Sequence, residues 1–366
     1  NKKLVAAALG LAFAAPVFAD SSNVTVYGRV HQALDHQSTD TAGAERGGNF
    51  TLEDVSSRLG VRGQEDLGGG LKAIFAYELS FNSDASDGNS GLDDARHSYL
   101  GLSGAWGTFV AGTQDGGNDS QAPLYNQASL IGSVSNNGGP LTTVGSSVVG
   151  TGQAITRDQR TNNSFGYAVD VAGVKVSARH SLGNSGENNA ANNDGLDNKE
   201  NSTRNTEVAA TYKIGALTVG GGFQSVDSQD RVQEVLNTTA GVEQVIQGVV
   251  SYNFGSFTLG GLIAQKNLYA ANAANGEDSN TEYALSATMP LAANSGIFGM
   301  YADSERNDLA APADITQAQI AYYYDFSKRT RTYVGFNRAE NEIVAGANTG
   351  EKFEQDNFTI GLRHNF

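Results

Sequence analysis

Three arginines carry the chemistry that the residue pattern first suggests: Arg29, Arg58 and Arg62. Arg29 shares a face with Thr25, Tyr27 and His31, while Val24, Val26, Gly28 and Val30 take the other. That two-residue alternation describes a strand near 24–34, greasy on one side and wet on the other. Arg58 and Arg62 share a face opposite Leu59 and Val61. Guanidinium groups fixed on one wet surface concentrate anions beside it. The acids that could answer them are sparse. The stretch 115–154 holds only Asp115 and Asp119, with Asp158 just beyond. In the competing reading, each arginine pairs with an acid on a neighbouring strand and merely stiffens the wall.

Other chemistry finds little support. His31, His36, His97, His180 and His364 are scattered, with no pair at metal-ligand spacing. No Ser/His/Asp motif stands out, so no catalytic residue and no cofactor are expected. Segments 84–94 and 192–198 are rich in Asp and Asn. Either could bind Ca²⁺ and bridge to lipopolysaccharide phosphates, but both lack the EF-hand pattern and otherwise read as solvated loops. The net charge of -15 excludes a nucleic-acid binder, because phosphate recognition needs a basic surface.

The elements that must position these arginines are strands. Residues 1–19 read as a secretory signal peptide: Lys2 and Lys3, an apolar run from Leu4 to Ala15, Pro16, then small residues ending at Ala19. A mature chain starting at Asp20 has lost Lys2 and Lys3 and carries -17. The alternative, a membrane anchor, would need ~20 apolar residues. No other stretch reaches that length, and the mean hydropathy is -0.33. Strands need only ~9–11 residues to cross a bilayer, with only alternate side chains facing lipid. The chain has 45 Gly, 14 Tyr and 16 Phe but no Cys, so stability must come from hydrogen-bonded sheet rather than disulfides.

Alternating segments recur along residues 20–366. After the first strand comes a polar loop at about 36–51. Seven strand pairs follow, with short turns near 65–70, 103–107, 170–173, 213–216, 253–256, 290–295 and 325–330. A closing strand at 357–366 places Phe358, Ile360, Leu362, His364 and Phe366 on the greasy face, and Thr359, Gly361, Arg363 and Asn365 on the wet one. The total is sixteen. Short turns alternating with long polar loops, and an even strand count, describe a closed antiparallel transmembrane β-barrel of the Gram-negative outer membrane. In it, Tyr322, Tyr324 and Phe326 suit an interfacial aromatic girdle. A soluble sandwich is the alternative for such aromatics. A lipid-facing arginine at mid-bilayer costs ~2–4 kcal/mol, so Arg29, Arg58 and Arg62 belong in the lumen. The longest connection, 115–154, lies between the fifth and sixth strands. Folded inward, it would set the narrowest point of a bore this wide; otherwise it is a surface loop.

Several segments resemble the general diffusion porins. Val26-Tyr27-Gly28-Arg29 is similar to their first strand, 57–73 to the hairpin of their second and third strands, and 96–109 to that of the fourth and fifth. Residues 160–167 resemble the strand after their inward loop, and 361–366, ending in Phe366, their C-terminal signature. The resemblance implies a homotrimer of sixteen-stranded barrels with an inward-folded third extracellular loop. It also implies a basic wall that maps to Arg29, Arg58 and Arg96, with Arg160 as a fourth, facing acids on the loop. It makes Phe366 the signal read by the barrel-assembly machinery. One departure is plain: where the family's loop commonly carries an acidic motif, this chain has Ala122-Pro123-Leu124-Tyr125. The implied function is passive diffusion of ions and small hydrophilic solutes. Arginine outnumbers acid at the inferred constriction, which tilts the expectation toward anions, although the loops are acidic. A solute-specific channel and a plugged surface receptor or adhesin barrel are the alternatives.

Overall fold

The computed structural model describes residues 23–41, 44–46, 48, 50–55, 57–82, 91–115, 124, 128, 160–182, 203–228, 242–269, 276–307, 312–346 and 349–366. The proposed signal peptide, Asp119, Asp158, and the Asp- and Asn-rich segment 192–198 lie outside them, as does most of 84–94.

Among the described residues, all the regular structure is strand, apart from helical backbone at Leu124 and Ala128. In chain order the strands are β1 (Asn23–Thr41), β2 (Ala44–Arg46), β3 (Phe50–Asp54), β4 (Arg58–Gly68), β5 (Leu71–Asn82) and β6 (Gly91–Gly104). Then come β7 (Gly107–Asp115), β8 (Arg160–Val171), β9 (Val174–Ser181), β10 (Thr203–Ile214), β11 (Leu217–Ser228) and β12 (Val242–Asn253). The last six are β13 (Thr258–Leu268), β14 (Ser279–Ala292), β15 (Ser295–Arg306), β16 (Ala313–Asp325), β17 (Thr330–Ile343) and β18 (Lys352–Asn365). Each pairs antiparallel with its neighbour, and β18 pairs with β1, so the sheet closes on itself. Segments β2, β3 and β4 all pair with β1 and form one interrupted strand, which gives the barrel sixteen strands.

All seven anticipated turns join strands where expected. The β4–β5 turn shows why they are glycine-rich. Gly68, Gly69 and Gly70 have φ of +86°, +62° and +81°, with open space around each, so backbone conformation rather than crowding requires glycine.

The first connection corrects the sequence reading. Residues 36–51 are not one polar loop. β1 continues to Thr41, and the chain returns at once through β2 and β3, with His36 opposite Phe50 and Leu34 opposite Leu52. The polar composition misled because a barrel strand that projects beyond lipid no longer needs a greasy face, while its ladder of backbone bonds goes on unchanged.

The outer surface is an apolar belt. Ile263 and Leu285 are 63% and 64% exposed, and Val208, Phe223, Ile246, Val250, Ile320, Phe336, Phe358 and Ile360 also face outward. A surface this greasy is stable only against lipid. Aromatic rings collect beside the short turns. Trp106 stacks on Tyr167, Phe254 lies between Tyr252 and Phe257, and Tyr324 meets Phe326 edge to face at 5.2 Å. Tyr322 and Phe326 are exposed as the girdle reading requires. His364 is on the outer face too, hydrogen-bonded to Thr330 Oγ1 at 2.9 Å.

Candidate functional site

The basic wall assembles on the inward faces of β1, β4, β6 and β18. Arg29 stands opposite Arg58 in the ladder, and Asn365, across the β1–β18 seam, accepts a hydrogen bond from Arg29 Nε at 3.1 Å. Arg58, Arg96 and Arg363 all lie near enough to repel Arg29. Glu78 sits among Arg29, Arg58 and Arg96, and Asp325 lies near Arg363. Glu78 of β5 accepts a hydrogen bond from Arg96 Nε at 2.7 Å and lies 3.9 Å from Arg58 Nη1. Arg96 and Glu78 are 2% and 3% exposed, so this pair is held out of bulk water.

Two β-bulges adjoin these arginines, and the second aims Arg96 into the lumen. β1 advances three residues from Arg29 to Gln32, while the paired chain covers four from Arg58 to Asp54. β5 advances one residue from Glu78 to Leu79, while β6 covers two from His97 to Ala95, leaving Arg96 as the extra residue. A bulge interrupts the ladder and turns a side chain that strict alternation would send elsewhere. At the first, Ser57 caps the break: its amide donates to Asp54 Oδ1 at 2.8 Å, and its Oγ accepts from the His31 amide at 3.0 Å.

The structure therefore brings Arg29, Arg58 and Arg96 together. Arg62 faces the same lumen nearer the turn end, its guanidinium 4.9 Å from the centre of the Tyr27 ring. Arg160 and Asp115 are backbone partners at the β7–β8 entrance, and their side chains lie outside the described residues. Sequence reasoning put Arg363 on the wet face of the closing strand but did not count it in the wall. The signal was there: closing the barrel sets it opposite His31. Among the described residues, Arg29 Nη1 and Arg363 Nε meet no acceptor. No group of three or more His, Asp or Glu suited to a metal occurs among them either.

The wall across the bore is different. β12–β16 turn Val245, Val249, Leu262, Ala264, Ala284, Phe298, Met300, Ala302 and Ile315 inward, all of them buried. Leu124 and Ala128 are buried in the same cluster, at 1% and 0% exposure. Ion pairs flank it: Arg179 with Glu207, and Lys266 with Glu282.

Comparison with known proteins bears on what such a barrel is. The family model for Gram-negative porins matches residues 5–343. Outer membrane porin protein 32 of Delftia acidovorans is 28% identical over 381 residues, covering all of both chains. Major outer membrane protein P.IB of Neisseria gonorrhoeae is 25% identical, over 98% of this chain and 99% of its own. Among solved structures, the anion-selective porin from Comamonas acidovorans superposes with a TM-score of 0.69 at 24% identity, covering 94% of this chain and 100% of that one. The chain belongs to the Gram-negative porin family, as an integral outer-membrane β-barrel that enzymatically does nothing and conducts small hydrophilic solutes by passive diffusion.

Proposed function

We propose that this porin favours anions, selected where Arg29, Arg58, Arg96 and Arg363 line one side of the bore. The observation that carries the reading is the imbalance on that wall: Arg29, Arg58 and Arg96 gather around one carboxylate, Glu78, while Arg363 and Arg331 gather around Asp325. Arg29 Nη1 and Arg363 Nε are donors that meet no acceptor among the described residues. Fixed charge in a narrow lumen is screened less than charge on exposed loops, so the wall outweighs the net -17 of the mature chain. The name of the Comamonas structure agrees with this preference without establishing it here. Arg62 would extend the basic track below the constriction, and Arg160 would extend it above.

The connection between β7 and β8 is proposed to fold inward against the apolar wall, where Leu124 and Ala128 already sit. Asp115, Asp119 and Asp158 remain its candidate acids. The working unit is proposed to be a homotrimer, with Phe366 read by the barrel-assembly machinery and residues 1–19 removed on export. On the outer face, Arg338 pairs with Glu340, Glu354 and Asp356 beyond the apolar belt. A charged cluster there suits contact with lipopolysaccharide headgroups.

The deciding experiment is the reversal potential of the refolded protein in a planar bilayer under a KCl gradient. A sign showing chloride preference, with conductance rising in three equal steps, supports the reading. Cation preference would overturn the selectivity, and a correctly folded barrel with no conductance would favour a plugged receptor.

A further inference from the structure

One residue outside every strand is held at both its backbone amide and its backbone carbonyl. The Leu124 amide donates to Glu207 Oε2 at 3.3 Å, and the Leu124 carbonyl accepts from Gln247 Nε2 at 3.0 Å. Glu207 and Gln247 belong to β10 and β12, and both face the lumen. The other oxygen of Glu207, Oε1, is taken by Arg179 of β9. Arg179 is bonded on one side of the carboxylate and Leu124 on the other, which fixes the carboxylate's orientation. Beneath lies the apolar floor of Val245, Val249, Leu262 and Ala264, in one buried cluster with Leu124 and Ala128. Leu124 and Ala128 both have helical backbone and are both buried there.

A lumen wall has no reason to be apolar unless something covers it. A backbone amide and carbonyl lying on such a wall must also find partners there. The wall meets both needs at one place. We infer that Glu207 and Gln247, oriented with the help of Arg179, are positioning residues that clamp the chain at Leu124 and thereby set the bore of the channel. This rests on the reading that the β7–β8 connection folds inward. It assigns the width of the pore to β9, β10 and β12, across the lumen from the arginines that set its charge. Width and charge selectivity are therefore separable by mutation.

The test uses three substitutions in the full-length refolded protein: Gln247→Leu, which removes the donor to the Leu124 carbonyl; Leu124→Glu, which sets a carboxylate against Glu207 and the apolar floor; and Gln317→Leu, a control at an inward carboxamide of β16. Planar-bilayer recording gives conductance, open-channel noise and reversal potential, and liposome swelling with sugars of increasing size gives the exclusion limit. The first two variants are expected to conduct more, with greater noise, and to admit sugars that the unaltered channel rejects. The reversal potential of Gln247→Leu should stay near that of the unaltered channel, as should every property of Gln317→Leu, whereas Leu124→Glu adds a lumen carboxylate and is judged by noise and exclusion limit alone. Leu124 lies in no strand, so its variant keeps the whole barrel ladder even if Gln247→Leu fails to fold. If the folded Leu124→Glu channel keeps the original noise and exclusion limit, the clamp is wrong. If the unaltered protein does not conduct, the channel reading fails first.

Discussion

The Phe366 ring occupies the space where a side chain on Gly28 would begin. A Cβ built at Gly28 would collide with Phe366 Cζ and lie 2.6 Å from the Arg58 carbonyl oxygen, while the backbones of Gly28 and Phe366 exchange reciprocal hydrogen bonds of 3.1 Å. The last residue thus seals against the first strand, with an aromatic ring covering a glycine. Gly28→Val is expected to displace the ring and loosen the seam by roughly 1–3 kcal/mol, the usual scale of overpacking. The midpoint of urea unfolding from lipid vesicles measures it. A midpoint equal to that of the parent would show that the ring and the Arg58 carbonyl both give way freely.

The arginine wall predicts opposite effects from its two charge types. Arg96→Gln should move the reversal potential toward cations, and Glu78→Gln further toward anions. The Glu78 change also removes the partner of Arg96 and Arg58 and should slow refolding. If both substitutions shift the potential the same way, the wall is not the selectivity element.

Salt should weaken the preference. The screening length shrinks from about 10 Å at 0.1 M to about 3 Å at 1 M. Reversal potentials at one fixed concentration ratio should therefore fall toward zero as mean KCl rises from the lower to the higher value. A preference indifferent to salt would point to direct ligation of chloride instead of a field effect.

The belt makes a plain energetic prediction. Ile263 and Leu285 are among the most exposed apolar side chains and face lipid. Ile263→Arg should cost ~2–4 kcal/mol if it lies near mid-bilayer, less toward an interface. Gln265→Arg, on the same face of β13 but nearer its loop end, should cost less. Folding titrations in vesicles give both numbers.

The arginine-to-glutamate pair behind the clamp offers a stability test independent of conductance. Glu207→Ala leaves Arg179 buried without its counter-charge, which typically costs 3–5 kcal/mol. The double change Arg179→Met with Glu207→Leu should recover much of that loss. Unfolding midpoints of the three proteins decide it.

Much of this architecture was legible because barrel strands state their own geometry. The hairpin of Val208, Tyr212 and Ile214 with Val219 and Phe223 shows its outward face in the sequence, and the short turns fall where glycine and aspartate cluster. The bulges did not show. Nothing about Arg58 or Arg96 as residue types reveals an extra residue in the ladder, since a bulge is a relation between two strands. The apolar lumen wall was hidden for a related reason. Val245 and Ile246, like Leu262 and Ile263, are apolar on both faces, and alternation carries no information where both sides are greasy. Only the structure shows that one side meets lipid and the other meets Leu124. The loop acids remain where the sequence left them, because Asp119 and Asp158 lie beyond the described residues.

The seam between β1 and β18 also constrains the order of events. Arg29 and Asn365 are bonded across 336 positions, so the strand made first waits for the strand made last. Until then β1 and its advancing opposite edge both present unpaired backbone groups, the condition under which strands aggregate. Loop-closure entropy makes so distant a pairing slow. A chain cut short before Phe366 would lose the seal itself, leaving a curled ribbon with two open edges that a cell must either escort or destroy.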